Sequence, residues 1–153
     1  MSVIDISDLK TARRGSRLLG LDVGTKTIGL ALSDTGWTVA TPLETIRRTK
    51  FTKDAERLFA LVDEHKVGAL VIGLPVNMNG TEGPRCQSVR QFAANLLKLR
   101  DIPVVLWDER WSTAAAERAL LEADASRRKR AAVIDKVAAS YILQGALDRL
   151  ISK

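Results

Sequence analysis

The chain has 153 residues, 46% of them hydrophobic, and a formal net charge of +6. This composition excludes an intrinsically disordered chain, and no apolar run is long enough to predict a membrane span. The single cysteine, Cys86, excludes an intramolecular disulfide and fits a reducing cytoplasm. The positive charge favours an anionic partner such as nucleic acid, although a basic surface without such a partner stays open.

The first part of the sequence predicts a charged tail followed by a meander of strands. Residues 1–16 mix acidic and basic side chains, so we expect a loosely ordered tail, and we expect residues 17–153 to form a single domain. The strands are predicted at Arg17 to Val23, Thr27 to Ser33 and about Val39 to Ile46. Short turns between them indicate antiparallel pairing, and Pro42 indicates that the last of them is bent or lies at a sheet edge.

The spacing of the apolar residues then changes, and helices alternate with strands. Helical spacing predicts a helix around Ala55 to Val62, and the apolar run Ala69 to Gly73 predicts a buried parallel strand. The remaining elements are predicted as a loop over Leu74 to Pro84, a helix around Val89 to Leu97, a strand over Pro103 to Trp107, and helices over about Thr113 to Ala123 and Ala132 to Ile151. This order predicts an α/β fold with a five-stranded mixed sheet flanked by helices.

An acidic residue and two glycines mark the turn between the first two predicted strands. Asp22 ends an apolar run, and Gly24 and Gly29 follow it. A carboxylate at a strand end, beside backbone N–H groups that glycine leaves accessible, can hold a metal ion or a phosphate. Two functions use such a turn: metal-dependent phosphodiester cleavage, and nucleotide binding of the actin and sugar-kinase type.

Two further acids are candidates to join Asp22. Glu109 follows the last predicted strand, and Asp135 lies near the start of the final helix, on its apolar side with Ala139 and Ile142. A solvated strand end for Glu109, and a buried salt bridge or a helix-dipole contact for Asp135, are the alternatives. Clustered acids repel one another unless a divalent cation neutralises them, and their oxygen atoms suit Mg²⁺ or Mn²⁺. The three acids are therefore the candidate metal ligands and catalytic residues.

Several basic residues are candidates to contact nucleic acid. Arg85 follows the glycine-rich loop, and Lys26 lies in the turn after Asp22. The complete set of candidates is Lys26, Arg85, Arg110, Arg127, Arg128, Lys129 and Arg130. The last four form a basic run that is predicted to link two helices, and a solvated charged segment is the alternative for that run.

Four ordered motifs run through the chain between Arg17 and Leu150. They are Leu21-Asp22-Val23-Gly24-Thr25-Lys26 with Ile28-Gly29-Leu30-Ala31, Gly73-Leu74-Pro75 with Asn77-Met78-Asn79-Gly80-Thr81 and Gly83-Pro84-Arg85, Asp108-Glu109-Arg110 with Ser112-Thr113, and Ile134-Asp135 with Ala138-Ala139. Together they resemble the YqgF/RuvX family of the ribonuclease H superfamily, described as pre-16S ribosomal RNA nucleases or Holliday-junction-resolvase-like proteins. The resemblance implies a ribonuclease H-like fold with Asp22, Glu109 and Asp135 as its acidic residues. Many such nucleases place four acids around two metal ions, whereas this chain has Ala138 one turn beyond Asp135.

The resemblance also implies a function. We expect a cytoplasmic, divalent-metal-dependent nuclease that matures the 5′ end of pre-16S rRNA in ribosome biogenesis, and the alternative is resolution of Holliday junctions in DNA recombination and repair. The expected partners are structured RNA, branched DNA and ribosomal precursor particles, without a membrane, and the chain is expected to act as a monomer or a homodimer. Two other classes stay open: a single-domain nucleotide binder of the actin and sugar-kinase type, and a non-catalytic nucleic-acid-binding factor.

Overall fold

The chain folds around a mixed β-sheet. The computed structural model describes residues 3–11, 15–111 and 127–151, and in the last range the side chains of residues 136–150. The strands are β1 (Val3–Ile4), β2 (Arg17–Val23), β3 (Thr27–Ser33), β4 (Ala40–Arg47), β5 (Val67–Leu74) and β6 (Val104–Asp108). The helices are α1 (Phe51–His65), α2 (Pro84–Leu99) and α3 (Arg127–Ile151), with 3₁₀ helices at Ile6–Thr11 and Glu109–Trp111.

The strand order across the sheet is β1-β6-β5-β2-β3-β4. The pairs β2–β3 and β3–β4 are antiparallel, whereas β1–β6, β5–β6 and β2–β5 are parallel. The predicted mixed sheet with an initial antiparallel meander is therefore confirmed. The order also places β5 between β2 and β6, and this position decides which residues meet at the site.

The prediction of five strands misses one of the six strands in the described part of the chain. Val3 and Ile4 pair in parallel with Val104 and Val105 of β6, and Leu9 behind them is fully buried. This segment packs on the sheet, whereas the sequence predicts a loosely ordered tail over residues 1–16. A strand of two residues has no alternation to detect, and it forms because the edge of β6 supplies its hydrogen-bond partners.

Alternate residues of the central strand β2 face opposite sides of the sheet. Leu19 and Leu21 belong to the hydrophobic core that includes residues of α1 and α2, whereas Leu18 packs with residues of α3. Gly20 and Asp22 share the side of Leu18 because they follow it at intervals of two residues. The strand therefore buries leucines on both sides and turns Asp22 towards the side that α3 covers.

Helix α3 starts earlier than the sequence predicts. The predicted start is Ala132, whereas the described part of the helix already includes Arg127, so the basic run is helical and is not a linker. Arginine and lysine favour helix, so a run of them does not end one. The side chains of this run, Arg127, Arg128, Lys129 and Arg130, lie outside the described residues, as does the helix predicted over Thr113 to Ala123.

Gln144 connects α3 to the turn between β3 and β4. Its Oε1 accepts a hydrogen bond of 2.9 Å from the backbone N–H of Ala40, and its Nε2 donates to the carbonyl oxygen of Thr38 at 3.1 Å. The same Nε2 donates to Oδ1 of Asp148 at 2.9 Å. One side chain therefore fixes the distance between the helix and the antiparallel half of the sheet.

Replacing Gln144 with Ala is expected to lower the free energy of unfolding by about 1–3 kcal/mol, because backbone groups of the turn lose their partner. Urea denaturation measures this loss. Gln91→Ala is the matched control, since the exposed Gln91 amide donates only to Asn95 within the same helix, at 2.9 Å; its expected change is within about 0.5 kcal/mol. Equal losses in both variants would contradict the role of Gln144.

Candidate active site

Asp22 lies one residue before the end of β2, and it is 4% exposed. On β3 its antiparallel partner is Gly29. On β5 the pairing of Leu21 with Ile72 places Gly73 beside Asp22. Both neighbouring positions are glycines, so neither adjacent strand places a side chain against the Asp22 carboxylate. At Gly73, side chains from other elements therefore approach the sheet beside Asp22.

Glu109 reaches the same place from the other side of β5. It is the first residue of the 3₁₀ helix that follows β6. A Cβ atom added to Gly73 would lie 3.1 Å from Oε2 and 3.2 Å from Cδ of Glu109. The Glu109 carboxyl group therefore lies over Gly73, and the structure brings Asp22 and Glu109 together on one face of the sheet.

The environment of Glu109 raises the pKa of its carboxyl group. Burial raises the pKa of the Glu109 carboxyl above its ordinary value, the positive charge of Arg85 lowers it, and the negative charge of Asp108 raises it further. A carboxylate in such surroundings gains when a cation binds beside it, because the cation offsets both the lost hydration and the neighbouring negative charge.

The third predicted acid, Asp135, lies in α3, and its side chain is outside the described residues. Further along this helix, Ile142 lies over Gly73: a Cβ atom added to Gly73 would be 2.5 Å from Cδ1 of Ile142. Helix α3 therefore crosses the face of the sheet that carries Asp22. Among the described side chains, no three His, Cys, Asp or Glu residues lie close enough together to form a metal site. The side chain of Asp135 is not among the described ones, so this statement does not include it. Its participation stays a prediction.

Arg110 binds the acid that precedes Glu109. Its Nη2 and Nε donate to Oδ2 of Asp108 at 2.7 and 3.1 Å, and its backbone N–H donates to Oδ1 at 2.9 Å. The hydrogen bond from Arg110 lowers the pKa of Asp108 below its ordinary value, against burial, which raises it. The sequence predicts Arg110 as a contact to nucleic acid, and the structure gives its guanidinium a partner within the protein.

Two guanidinium groups donate hydrogen bonds to the backbone that follows Asp22. Nη2 of Arg85, in the first turn of α2, donates to the carbonyl oxygen of Val23 at 3.3 Å. Nη1 of Arg48, which follows β4, donates to the carbonyl oxygen of Gly24 at 2.6 Å. The Arg48 guanidinium also lies over the ring of Phe92, 5.4 Å from its centroid. The two arginines therefore place positive charge beside the backbone of Val23 and Gly24, which follows Asp22.

Lys26 adds a third positive charge in the turn between β2 and β3. The backbone N–H of Gly24 donates to the carbonyl oxygen of Thr27 at 2.9 Å and closes the turn. A Cβ at Gly24 would lie 3.0 Å from that oxygen, which explains why glycine is favoured there. Lys26 is exposed, and its carbonyl oxygen accepts a hydrogen bond of 2.9 Å from the backbone of Arg48. Positive charge of this kind attracts phosphate.

Sequence reasoning missed two contributors to this site. Gly73 is the last glycine of an apolar run before a loop, and such a position signals close approach by another group. Arg48 carries no such signal, because its position depends on how β3 and β4 bring it back to the Gly24 turn.

A sequence profile of the RuvX family, described as Holliday junction resolvase, matches residues 16–149. The chain belongs to the RuvX family. It is 67% identical over 140 residues to a protein of Paramagnetospirillum magneticum, and the aligned region covers 92% of this chain and 90% of the relative. It is 61% identical over 153 residues to a protein of Roseobacter denitrificans, and the aligned region covers 98% of this chain and 94% of the relative. Both relatives are described as candidate pre-16S rRNA nucleases.

Solved structures agree with this RuvX assignment at the level of the fold. RuvC of Thermus thermophilus in complex with a Holliday junction substrate has a TM-score of 0.55 at 13% identity, over 88% of this chain and 96% of that one. A second Thermus thermophilus RuvC structure has a TM-score of 0.53 at 14% identity, with the same coverage. The predicted ribonuclease H-like fold is confirmed.

Family membership places this RuvX-family chain among the nucleases, which hydrolyse phosphodiester bonds. It confirms the predicted nuclease function over the nucleotide-binding alternative. Nucleases with the RuvC or ribonuclease H-like fold are generally dependent on divalent metal ions.

Proposed function

We propose that this RuvX-family chain matures the 5′ end of pre-16S rRNA as a metal-dependent nuclease, with Asp22, Glu109 and Asp135 as its metal ligands. The observation that carries this proposal is the placement of Asp22 and Glu109 on one face of the sheet, on either side of Gly73. Two acids held together in a largely buried place favour the binding of a cation.

The donor atoms fit a small, hard divalent cation. Carboxylate oxygens are the ligands that Mg²⁺ and Mn²⁺ prefer, and Asp22 and Glu109 both supply them. When bound, such an ion makes a water molecule more acidic and stabilises the oxygen that leaves phosphorus. Ala138, one turn beyond Asp135, is buried and supplies no fourth acid, so the ligand set that we propose has three carboxylates.

The positive charges beside Asp22 hold the substrate. Arg85, Arg48 and Lys26 bind phosphates of the strand to be cut, and their charge offsets the repulsion between that strand and the acids. Arg110 and the basic run at the start of α3, Arg127, Arg128, Lys129 and Arg130, extend this surface in our proposal. The protein groups position the phosphodiester, and water supplies the oxygen that enters the product.

The descriptions of the relatives favour pre-16S rRNA as the substrate. The description of the RuvX family favours a second candidate, the Holliday junction. Symmetric cutting of a junction needs two active sites and thus a homodimer, whereas trimming of an RNA end needs only a monomer. We place the activity in the cytoplasm, on ribosomal precursor particles. None of the described helices is both long enough and apolar enough to span a membrane.

Cleavage of two substrates side by side tests the proposal. A pre-16S RNA with its 5′ extension and a four-way DNA junction are incubated with the protein while Mg²⁺ or Mn²⁺ is titrated from zero. We expect cleavage to require the ion, to stop with a chelator, and to be faster on the RNA. Cleavage that persists in the chelator would contradict metal dependence. Cleavage of the junction alone would assign the chain to the second candidate, and cleavage of neither by the folded protein would contradict both.

A further inference from the structure

The loop that joins β5 to α2, residues 75–83, starts and ends beside the candidate active site. It leaves β5 after Leu74, which pairs with Asp108 of β6. It enters α2 just before Arg85, whose guanidinium binds the backbone next to Asp22. One end of the 75–83 loop therefore lies beside the end of β6, which Glu109 follows, and the other lies beside the end of β2, which carries Asp22.

Hydrogen bonds hold the tip of this loop in one conformation. The backbone N–H of Asn77 donates to the carbonyl oxygen of Thr81 at 2.9 Å, and that of Gly80 donates to the carbonyl oxygen of Asn77 at 2.8 Å. Gly80 has a φ of 89°, which favours glycine. The Thr81 hydroxyl donates to Oδ1 of Asn79 at 2.6 Å. The tip is thus a tight turn with its own polar partners.

Charged side chains anchor the same loop to its surroundings. Nη1 of Arg110 donates to the carbonyl oxygen of Met78 at 3.4 Å, so the residue that binds Asp108 also binds the tip. Glu82 accepts two hydrogen bonds of 2.7 Å from Arg90 of α2. The position of the tip relative to Glu109 is therefore set by contacts on both of its sides.

Met78 stands out on this anchored tip because its side chain is apolar and 87% exposed. The other exposed large apolar side chains in the described part of the chain are Val3, Val39 and Leu99, which are 45–56% exposed. Single exposed apolar residues are common. Met78 differs from them because its own carbonyl is bound by Arg110, one residue from Glu109.

We propose that Met78 packs against an unpaired nucleobase next to the phosphodiester to be cut, so that the 75–83 loop selects substrates whose bases are unstacked at the cut. This inference rests on the proposed nuclease function. Apolar side chains, methionine among them, are inserted between bases in many nucleic-acid complexes. The thioether also packs favourably against aromatic rings. A preformed tip makes this contact with little loss of backbone entropy.

Matched RNAs test the inference. One has unpaired nucleotides around the cut, and the other has the same sequence fully paired with a complementary strand. We expect Met78→Ala to lower kcat/KM up to about tenfold on the unpaired substrate, because the contact of a thioether with one aromatic ring accounts for an effect of this size. Cleavage of the paired substrate should change less than twofold. Met78→Leu should keep most of the activity, and Leu99→Ala, at the opposite end of α2, should change neither rate.

A direct measurement of base stacking completes the test. We expect the fluorescence of 2-aminopurine beside the cut to change when the wild-type protein binds in the presence of a chelator, and we expect Met78→Ala to remove this change. Two results for Met78→Ala would overturn the role of Met78 while the nuclease function stands. One is an equal loss of kcat/KM on both substrates; the other is the substrate preference and the fluorescence change of the wild type. Wild-type protein that cleaves neither RNA would overturn the proposed function and this inference with it.

Discussion

Replacing Asp22 with Asn is expected to lower kcat by about 10³-fold or more while the affinity for substrate changes little. The amide has nearly the shape of the carboxylate, but it carries no negative charge and is a weak ligand for a divalent cation. Removal of a negative charge near phosphate also does not weaken binding of the nucleic acid. Single-turnover cleavage of the pre-16S RNA measures the loss, and fluorescence anisotropy with a chelator measures the affinity.

Asp63→Asn is the matched control for this substitution. Asp63 lies on α1, is exposed, and pairs with Arg100 at 2.7 Å, so the same chemical change there should leave cleavage within about twofold. Thermal unfolding of both variants confirms that they are folded. Full cleavage by a folded Asp22→Asn protein would contradict the proposed metal site.

Replacing Gly73 with Ala is expected to lower kcat about 10²-fold, because the added Cβ displaces the carboxyl group of Glu109. That Cβ would lie 3.1 Å from Oε2 of Glu109 and 2.5 Å from Cδ1 of Ile142, so both groups must move. Displacement of a reacting group by about 1 Å costs a rate factor of this size. Crowding in the core should also cost about 1–3 kcal/mol of stability. Single-turnover kinetics and urea denaturation measure the two effects.

A second substitution separates the two contacts of the new Cβ. Ile142→Val removes Cδ1, so the double variant Gly73→Ala with Ile142→Val relieves the crowding against α3 and leaves the displacement of Glu109. We expect the double variant to regain stability relative to Gly73→Ala and to stay slow, whereas Ile142→Val alone should keep its activity. Recovery of activity together with stability would show that Gly73 matters for packing only.

Most of the fold could be predicted because long periodic segments dominate the sequence. The apolar run of β5 and the helical spacing in α1 carry their signal locally, and both were predicted in the right order. The two-residue strand β1 and the helical conformation of the basic run in α3 could not be predicted in the same way. The first depends on a free edge of β6, and the second on whether a basic run continues a helix or leaves it.

The same distinction between local and tertiary information applies to the candidate site. The sequence by itself determined that Asp22 and Glu109 stand at the ends of predicted strands, since an acid that ends an apolar run is visible in the order of residues. Only the tertiary structure decided that Gly73 lies between them, because this depends on β5 pairing with both β2 and β6. The same holds for Arg48 beside Gly24 and for Arg110 on Asp108, whose contacts arise from backbone geometry that no spacing rule describes. The sequence determines which chemical groups the side chains carry, whereas the pairing of strands determines which of these groups become neighbours in the site.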